Sequence, residues 1–190
     1  MQDDYTLIEQ SKTDIKAFES LYDRYFTKIY AYIRSRVSTK EEAEDITSEI
    51  FLSAIKYIAN FNPKKGSFSS WLYKSAHNKI IDLYRRKGRN HQTLDEFNSP
   101  TLADDNFEKA EIEVDRLQVN EVLMKIHPDY QLVLTLRYFS ELSNPEIADV
   151  LNCKPANVAV IMNRALARFK KEYSKKYPKS EIFELVNRNN

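Results

Sequence analysis

The sequence predicts an all-α protein of two small helical domains joined by an acidic linker. Apolar residues recur at helical spacing through most of the chain, and only two of its 190 residues, Gly66 and Gly88, are glycine. So few glycines argue against many tight β-hairpins, whose turns need them. Residues 91–106 lose the helical periodicity and lie in an acid-rich stretch, so 91–114 is the predicted linker.

The composition excludes several classes of protein. Scarce glycine excludes glycine-rich phosphate loops and dinucleotide fingerprints, so no cofactor is expected. The single cysteine, Cys153, cannot form an internal disulfide or a cysteine-based zinc site. The three histidines lie too far apart to suggest a metal site or a catalytic triad. No apolar run approaches the ~20 residues of a membrane span, so we expect a cytoplasmic protein. Since the histidines suggest no catalytic group, we also expect that it is not an enzyme and has no small-molecule substrate.

The first predicted domain covers residues 1–90 and contains three helices. Apolar spacing predicts the first within residues 14–37, and Thr39 with Glu42 forms a capping box that opens the second. The apolar stripe of the second helix consists of Ile46, Ile50, Ala54 and Tyr57. Proline and glycine break the pattern before Ser67, which can cap the third helix.

The second predicted domain covers residues 115–176, and residues 177–190 form a tail. Pro128 and Pro155 each stand at the start of a helix, where the missing backbone N–H costs nothing. Between them, the chain must turn at Asn152, a residue that tolerates a left-handed conformation better than most. The apolar tail residues suggest either a short docking helix or a packed end.

The net charge of +1 hides three blocks of alternating sign. Residues 79–91 contain five cations and one anion, and residues 95–115 contain eight carboxylates and one lysine. Residues 164–179 contain seven cations and one glutamate. A single block would fit a solvated helix face equally well. Three alternating blocks favour a protein that binds a polyanion and carries an acidic connector.

Two segments suggest nucleic-acid binding. The short helix, the turn at Asn152 and the longer helix match a helix-turn-helix, although an ordinary helical hairpin has the same pattern. In the first domain, aromatic residues alternate with cations from "NFNPKKGSFSSW" onward, and unpaired bases stack on such rings. We expect Phe68 and Trp71 in the core, and Tyr73 and Lys74 on the surface.

The motifs in these segments resemble those of bacterial sigma factors. "AEDITSEIFLSAIKYI" followed by "FSSWLYKSAHNKIIDLYRR" is similar to sigma region 2, and "HPDYQLVLTLRYFSELSNPEIADVLNCKPANVAVIMNRALARFKK" is similar to region 4. The two blocks cover about residues 14–90 and 115–172 and leave no room for additional regions. The chain therefore resembles an extracytoplasmic-function (ECF) sigma factor, in which region 2 is a helical bundle and region 4 a helix-turn-helix.

The resemblance implies roles for residues of the first domain. The segment that docks on core RNA polymerase corresponds to Asp45, Ser48, Glu49 and Phe51, with Ser48 where glutamine is usual. The part that recognises and opens the minus-ten element corresponds to Asn62, Lys64, Lys65, Ser67, Tyr73, Lys74, Asn78, Arg85 and Arg86. The acidic linker corresponds to the segment threaded through the RNA-exit region of the polymerase.

The resemblance also implies a recognition helix for the minus-thirty-five element. Its expected DNA contacts are Lys154, Asn157, Ala159, Val160, Asn163, Arg164, Arg168 and Lys171. Ala159 and Ile161 replace two cations that are common in the family, so binding of the upstream element is weak or altered, or this helix partly docks on protein. Asparagine suits adenine, and Val160 or Ala159 could contact a thymine methyl group.

The sequence therefore predicts a promoter-specificity subunit of RNA polymerase. Its expected partners are core RNA polymerase, double-stranded and melted promoter DNA, and an anti-sigma factor, with no membrane insertion. One alternative is a stand-alone helix-turn-helix regulator with a ligand-sensing or dimerisation domain. The other is a degenerate sigma-like interaction protein that has lost DNA reading, as Ala159 and Ile161 suggest.

Overall fold

A computed structural model describes residues 3–88 and 118–178, which contain helices and no β-strand. These residues fall into two compact units. The first contains residues 3–88 and Pro145–Cys153, and the second contains 118–144 and 154–178. The all-α class with two helical domains is confirmed. The linker predicted at 91–114 and nearly all of the predicted tail lie outside the described residues.

The first unit contains four of the longer helices. These are α1 (Asp4–Ser11), α2 (Ile15–Arg34), α3 (Lys40–Tyr57) and α4 (Phe68–Arg86), with short 3₁₀ turns at Ile58–Asn60 and Pro63–Lys65 before α4. Helix α1 was not predicted from the sequence. It packs on α2 through buried Leu7 and Ile8, and its Asp4 accepts hydrogen bonds from Arg24 and Tyr25.

The helix starts of the first unit follow local chemistry. The Thr39 hydroxyl accepts from the Glu42 N–H at 3.2 Å, and the Glu42 carboxylate accepts from the Thr39 N–H at 3.4 Å, which confirms the capping box. The Ser67 hydroxyl accepts from the Ser70 N–H at 3.1 Å, which confirms its predicted cap. Each cap satisfies backbone donors that a helix start leaves unpaired.

The core of the first unit is formed by one face of each of α2, α3 and α4. Its members include Phe18, Leu21, Ile29, Ile33, Ile50, Ala54, Leu72, Ala76 and Ile80. At one edge, the Arg36 guanidinium lies 4.1 Å from the centre of the Tyr32 ring, and the Tyr84 hydroxyl donates to the Arg36 carbonyl at 2.5 Å. Burial lowers the pKa of Arg36. These contacts hold the end of α2 against α4.

The second unit is centred on a long helix. Residues 118–123 are helical, and α5 (Pro128–Leu134) continues into a π-helical turn, Thr135–Phe139. Helix α5 packs on α7 (Pro155–Lys176), which buries Val158, Met162, Ala165 and Tyr173. Pro128 and Pro155 are the first residues of α5 and α7, as predicted.

Helix α6 (Asn144–Val150) precedes the turn that the sequence predicted. Asn152 adopts φ 51°, which confirms its left-handed conformation. Except for Asn144, α6 is grouped with the first unit, whereas the sequence placed it in the second domain. The domain boundaries 1–90 and 115–176 therefore remain predictions.

Candidate nucleic-acid interface

Helix α3 presents an acidic face to solvent. Asp45, Ser48 and Glu49 are exposed. They lie on one face, because a helix advances about 100° per residue and brings positions three and four apart together. Phe51, three positions after Ser48, lies at the border of this face and is turned into the core. It is only 3% exposed and packs edge-on against Tyr22 with ring centroids 4.8 Å apart, so it is not accessible in this structure, and its contact with polymerase stays a prediction.

Sequence reasoning missed Leu52 on this acidic face. The side chain is 57% exposed, although leucine is usually buried. Leu52 follows Ser48 by four positions and Asp45 by seven, so the same helical spacing that groups the acids could have placed it there. The acidic face therefore has an apolar member as well as its charged ones.

Ion pairs join α3 to α4. The Lys79 ammonium lies 2.5 Å from the Glu49 carboxylate, and Lys87 pairs with Glu42. Burial by itself raises the pKa of Glu42, but the hydrogen bond and charge of Lys87 and the N–H groups of Thr39 and Ser38 outweigh it, and the pKa is lowered. The acids of α3 thus lie directly beside cations of α4.

The loop between α3 and α4 carries exposed lysines. Asn62 accepts a hydrogen bond from the Lys64 N–H at 3.0 Å and so holds the turn that contains Lys64 and Lys65. All three residues are exposed. Gly66 follows at φ 151°, a backbone conformation that side chains rarely adopt. The loop therefore holds two cations in solvent at the start of α4.

Helix α4 does not expose Tyr73. The residue is 1% exposed and packs edge-on against Tyr32, with ring centroids 5.2 Å apart, so its expected surface position is wrong, and its contact with DNA stays a prediction. Both α2 and α3 pack against α4. The buried face of α4 is therefore wide enough to include two consecutive residues, Leu72 and Tyr73. Phe68 is buried as expected, and Trp71 is half-buried.

The other predicted residues of α4 lie on its solvent side. Lys74, Asn78 and Arg85 are spaced by four and seven positions and therefore share a face. Asn78 and Arg85 are exposed, Arg85 pairs with Asp82 at 3.1 Å, and Arg86 is exposed beside them. Together with Lys79, the residues Asp82, Arg85 and Arg86 line an open depression.

Two predicted DNA contacts have acidic partners within the first unit. The Lys74 ammonium lies 2.6 Å from the Asp149 carboxylate, and the Ser67 hydroxyl donates to Glu146. Both acids belong to the segment Pro145–Cys153. Lys74 and Ser67 are therefore engaged by carboxylates in this structure, whereas Asn62, Lys64 and Lys65 remain exposed.

Helix α7 carries a cationic stripe along its exposed face. Asn157, Val160, Arg164, Arg168 and Lys171 are exposed at spacings of three, four, four and three residues, which places them in one row. Arg168 pairs with Glu172 at 3.0 Å within the helix. Lys154, which immediately precedes α7, is also exposed. The predicted residues thus form a continuous face for most of the helix.

Two predicted residues lie off this stripe. Ala159 is half-buried and faces away from Asn157, because two positions turn a helix by about 200°. The structure therefore does not bring Ala159 to the row, and its expected base contact stays a prediction. Asn163 is exposed at the side of the stripe.

The described residues contain neither an apparent metal centre nor a membrane-spanning helix. No group of three or more histidine, cysteine, aspartate or glutamate side chains within them could hold a metal ion. No helix in residues 3–88 or 118–178 is long and apolar enough to cross a membrane.

Two protein-family models match the chain, one to each half in chain order. The Sigma-70 region 2 family matches residues 21–90, and the Sigma-70 region 4 family matches residues 116–169. The RNA polymerase sigma factor YlaC of Bacillus subtilis is 30% identical over 170 residues, which cover 87% of this chain and 97% of YlaC. The ECF RNA polymerase sigma factor SigM of the same species is 30% identical over 162 residues, covering 83% and 95%.

Solved structures share the fold. The chain matches CnrH, in its complex with the cytosolic domain of CnrY, with a TM-score of 0.61 and 23% identity over 88% of this chain and 95% of that one. It matches the sigma factor RpoE, in its complex with the anti-sigma factor NepR from Bartonella quintana, with a TM-score of 0.61 and 19% identity over 83% and 96%. At these identities the likeness extends to the fold alone.

Proposed function

The chain belongs to the ECF subfamily of RNA polymerase sigma factors, and we propose which of its residues perform each step of promoter use. As a sigma factor it binds core RNA polymerase, directs it to promoters and initiates transcription. The observation that carries the residue assignment is the pairing of α3 and α4. One presents an acidic face and the other a basic face, and they are adjacent in a single unit.

Asp45, Ser48 and Glu49 bind core RNA polymerase in this proposal. Their exposure on one face of α3 supports it, and Leu52 adds an apolar contact at the same face. Ser48 is shorter than the glutamine usual at this position, so it reaches less far and forms fewer hydrogen bonds. Asp45 and Glu49 therefore contribute most of the polar interaction.

The α3–α4 loop and α4 bind the melted minus-ten element. Residues 50–81 contain five lysines and no carboxylate, so the segment carries a net positive charge that favours a polyanion. Asn62, Lys64 and Lys65 contact the strand in the loop. Lys74, Asn78, Arg85 and Arg86 contact it along α4, where arginines suit phosphates and asparagine suits a base edge.

Helix α7 reads the minus-thirty-five element with few ionic contacts. Arg164, Arg168 and Lys171 meet phosphates, because they form the cationic part of the exposed stripe. Asn157 and Val160 lie at the N-terminal part of the same stripe and contact bases. Half-buried Ile161 supplies no charge where the family commonly has a cation, so binding of this element is weak.

An anti-sigma factor controls the protein in this proposal. The matched RpoE structure is a complex with an anti-sigma factor, and the fold of this chain provides comparable units. The protein acts in the cytoplasm and has no catalytic role of its own. A stand-alone helix-turn-helix regulator is not favoured, because both sigma regions are matched in order on one chain.

Promoter-directed transcription with purified core polymerase tests the proposal. A genomic fragment library is transcribed by core enzyme with and without the protein, and new RNA 5′ ends are mapped. We expect a set of start sites that require the protein and share two upstream sequence elements. A stand-alone regulator or a degenerate sigma-like protein would give no new start sites, even where it bound core enzyme or DNA.

A further inference from the structure

Helix α4 carries two neighbouring rows of residues, one on its solvent side and one on its packed side. The outer row, proposed to contact the melted strand, consists of Lys74, Asn78 and Arg85. Each of its members is directly preceded in sequence by a member of the inner row, which consists of Tyr73, His77 and Tyr84. Because adjacent helix positions are about 100° apart, the placement of the inner row determines the direction in which the outer row points.

All three residues of the inner row contact the end of α2. The Tyr73 ring packs edge-on against Tyr32, with ring centroids 5.2 Å apart and an interplanar angle of 87°. The Tyr32 hydroxyl lies 3.4 Å from Nδ1 of His77. The Tyr84 hydroxyl donates to the Arg36 carbonyl at 2.5 Å. Two residues, Tyr32 and Arg36, therefore hold the inner row at three points along about three turns of α4.

Tyr32 and Arg36 also hold each other. The Arg36 guanidinium lies 4.1 Å from the centre of the Tyr32 ring. Its Nη1 donates to the Tyr32 carbonyl at 3.0 Å and to the Ser35 hydroxyl at 2.6 Å. Tyr32 is only 3% exposed, so its ring has little room to turn. The two residues therefore form a fixed surface against which α4 packs in one rotational setting.

We propose that Tyr32 and Arg36 are positioning residues for strand opening, because they set the rotation of α4 that directs its outer row toward the melted strand. Neither residue touches DNA. The inference rests on the proposed function of α4 and adds two residues at the end of α2 that sequence reasoning did not connect with DNA. The hydroxyl contacts matter most, since hydrogen bonds are directional whereas apolar packing is not.

Tyr32→Phe with Tyr84→Phe, in the full chain assembled with bacterial core polymerase, tests the inference. The double variant keeps both rings and every charge, but it removes the two hydroxyl groups that join the end of α2 to α4. Tyr25→Phe is the matched control, because Tyr25 is a buried tyrosine of α2 whose hydroxyl donates to Asp4 of α1. A bond to a carboxylate is about twice as strong as a neutral one, so this single loss lowers stability comparably.

The probe is a fluorescein-labelled single strand of about 12 nucleotides and mixed sequence, followed by anisotropy at several salt concentrations. Core polymerase alone sets the background. Titration with labelled core enzyme measures core affinity, and circular dichroism gives the Tm of each variant. Strand titrations are run well below the lowest Tm, and the two single variants are measured in the same way, so a fold defect in the double variant does not decide the outcome.

We expect the double variant to weaken single-strand binding about 3- to 10-fold, with core affinity unchanged. The slope of log K against log salt concentration should also fall by about 0.7 for each phosphate contact that is lost, although no cation has been removed. A merely structural role would lower the Tm and leave this slope unchanged. Tyr25→Phe should bind the strand with the affinity and the slope of the parent.

Parent affinity in the double variant, or weaker binding at the parent slope, would overturn the inference and leave the proposed function intact. So would an equal loss in Tyr25→Phe, which would indicate general destabilisation. A parallel loss of core affinity would also overturn it, because the pair would then support the polymerase contact. A parent holoenzyme that bound the strand no better than core alone would overturn the inference together with the proposed opening role of α4.

Discussion

The Glu49 carboxylate and the Lys79 ammonium form an ion pair, with Oε2 and Nζ 2.5 Å apart, between a helix proposed to bind polymerase and a helix proposed to bind DNA. Both side chains are largely exposed, so the pair contributes at most ~1 kcal/mol and is weakened by salt. A partner that binds either residue can therefore replace the other at little cost.

Reversing two charges on α3 should weaken polymerase binding. Asp45→Lys with Glu49→Lys removes two carboxylates and places a cation beside Lys79, so we expect core affinity to fall about tenfold or more while the helical content is kept. Fluorescence titration with labelled core enzyme measures it at moderate salt. Glu19→Lys with Asp23→Lys is the control, since these α2 acids are exposed at the same spacing of four. Equal losses in both pairs would indicate a general charge effect.

Removing two polar side chains of α4 should impair strand opening. Lys74→Ala with Asn78→Ala leaves the α3 face intact, so we expect unchanged core affinity and reduced permanganate reactivity of promoter thymines. Tyr73 is left unchanged, because truncating this buried ring would cost about 3–5 kcal/mol of stability. Lys28→Ala, at an exposed cation of α2, is the control. Full permanganate reactivity in the double variant would remove these side chains from the opening step.

Two substitutions in α7 should distinguish its contacts with phosphates from its contacts with bases. Arg164→Ala removes a phosphate contact, so it should weaken binding to all sequences. It should also reduce the slope of log K against log salt concentration by about one. Asn157→Ala should instead relax preference at one base pair, worth ~1–3 kcal/mol, and leave the salt dependence nearly unchanged. Anisotropy of the full chain on duplex variants across salt concentrations measures both. If neither substitution changed DNA affinity, α7 would be a protein-docking surface.

Replacing a residue in a strained backbone conformation with glycine should stabilise the second unit. Glu141 adopts φ 58° and is exposed, so Glu141→Gly removes a left-handed side chain without loss of core contacts. We expect stabilisation of about 0.5–1 kcal/mol, measured as a higher Tm of the second unit. Asn152→Gly, at φ 51°, is the comparison and should change stability less, because asparagine tolerates this conformation. A lower Tm for Glu141→Gly would mean that the Glu141 side chain makes a stabilising contact.

The predictions that succeeded concern residues whose role depends on close neighbours in sequence. The capping box of Thr39 and Glu42, the cap at Ser67 and the left-handed Asn152 all follow from side-chain chemistry within three or four positions. Helix α1 was missed because its anchor is distant. Asp4 bonds to Arg24 and Tyr25, which lie 20 and 21 residues further along the chain.

Apart from α1, the sequence by itself determined the longer helices, their caps and the separation of acidic and basic segments, since each depends on local interactions. Only the tertiary structure decided which aromatic side chains are accessible. Phe51 and Tyr73 are buried and Tyr57 is exposed, in each case contrary to expectation. Helical spacing identifies the apolar face of a helix, but it does not show how wide that face is or at which residue it ends. Those depend on how many helices pack against it, and this requires contacts between residues far apart in the chain.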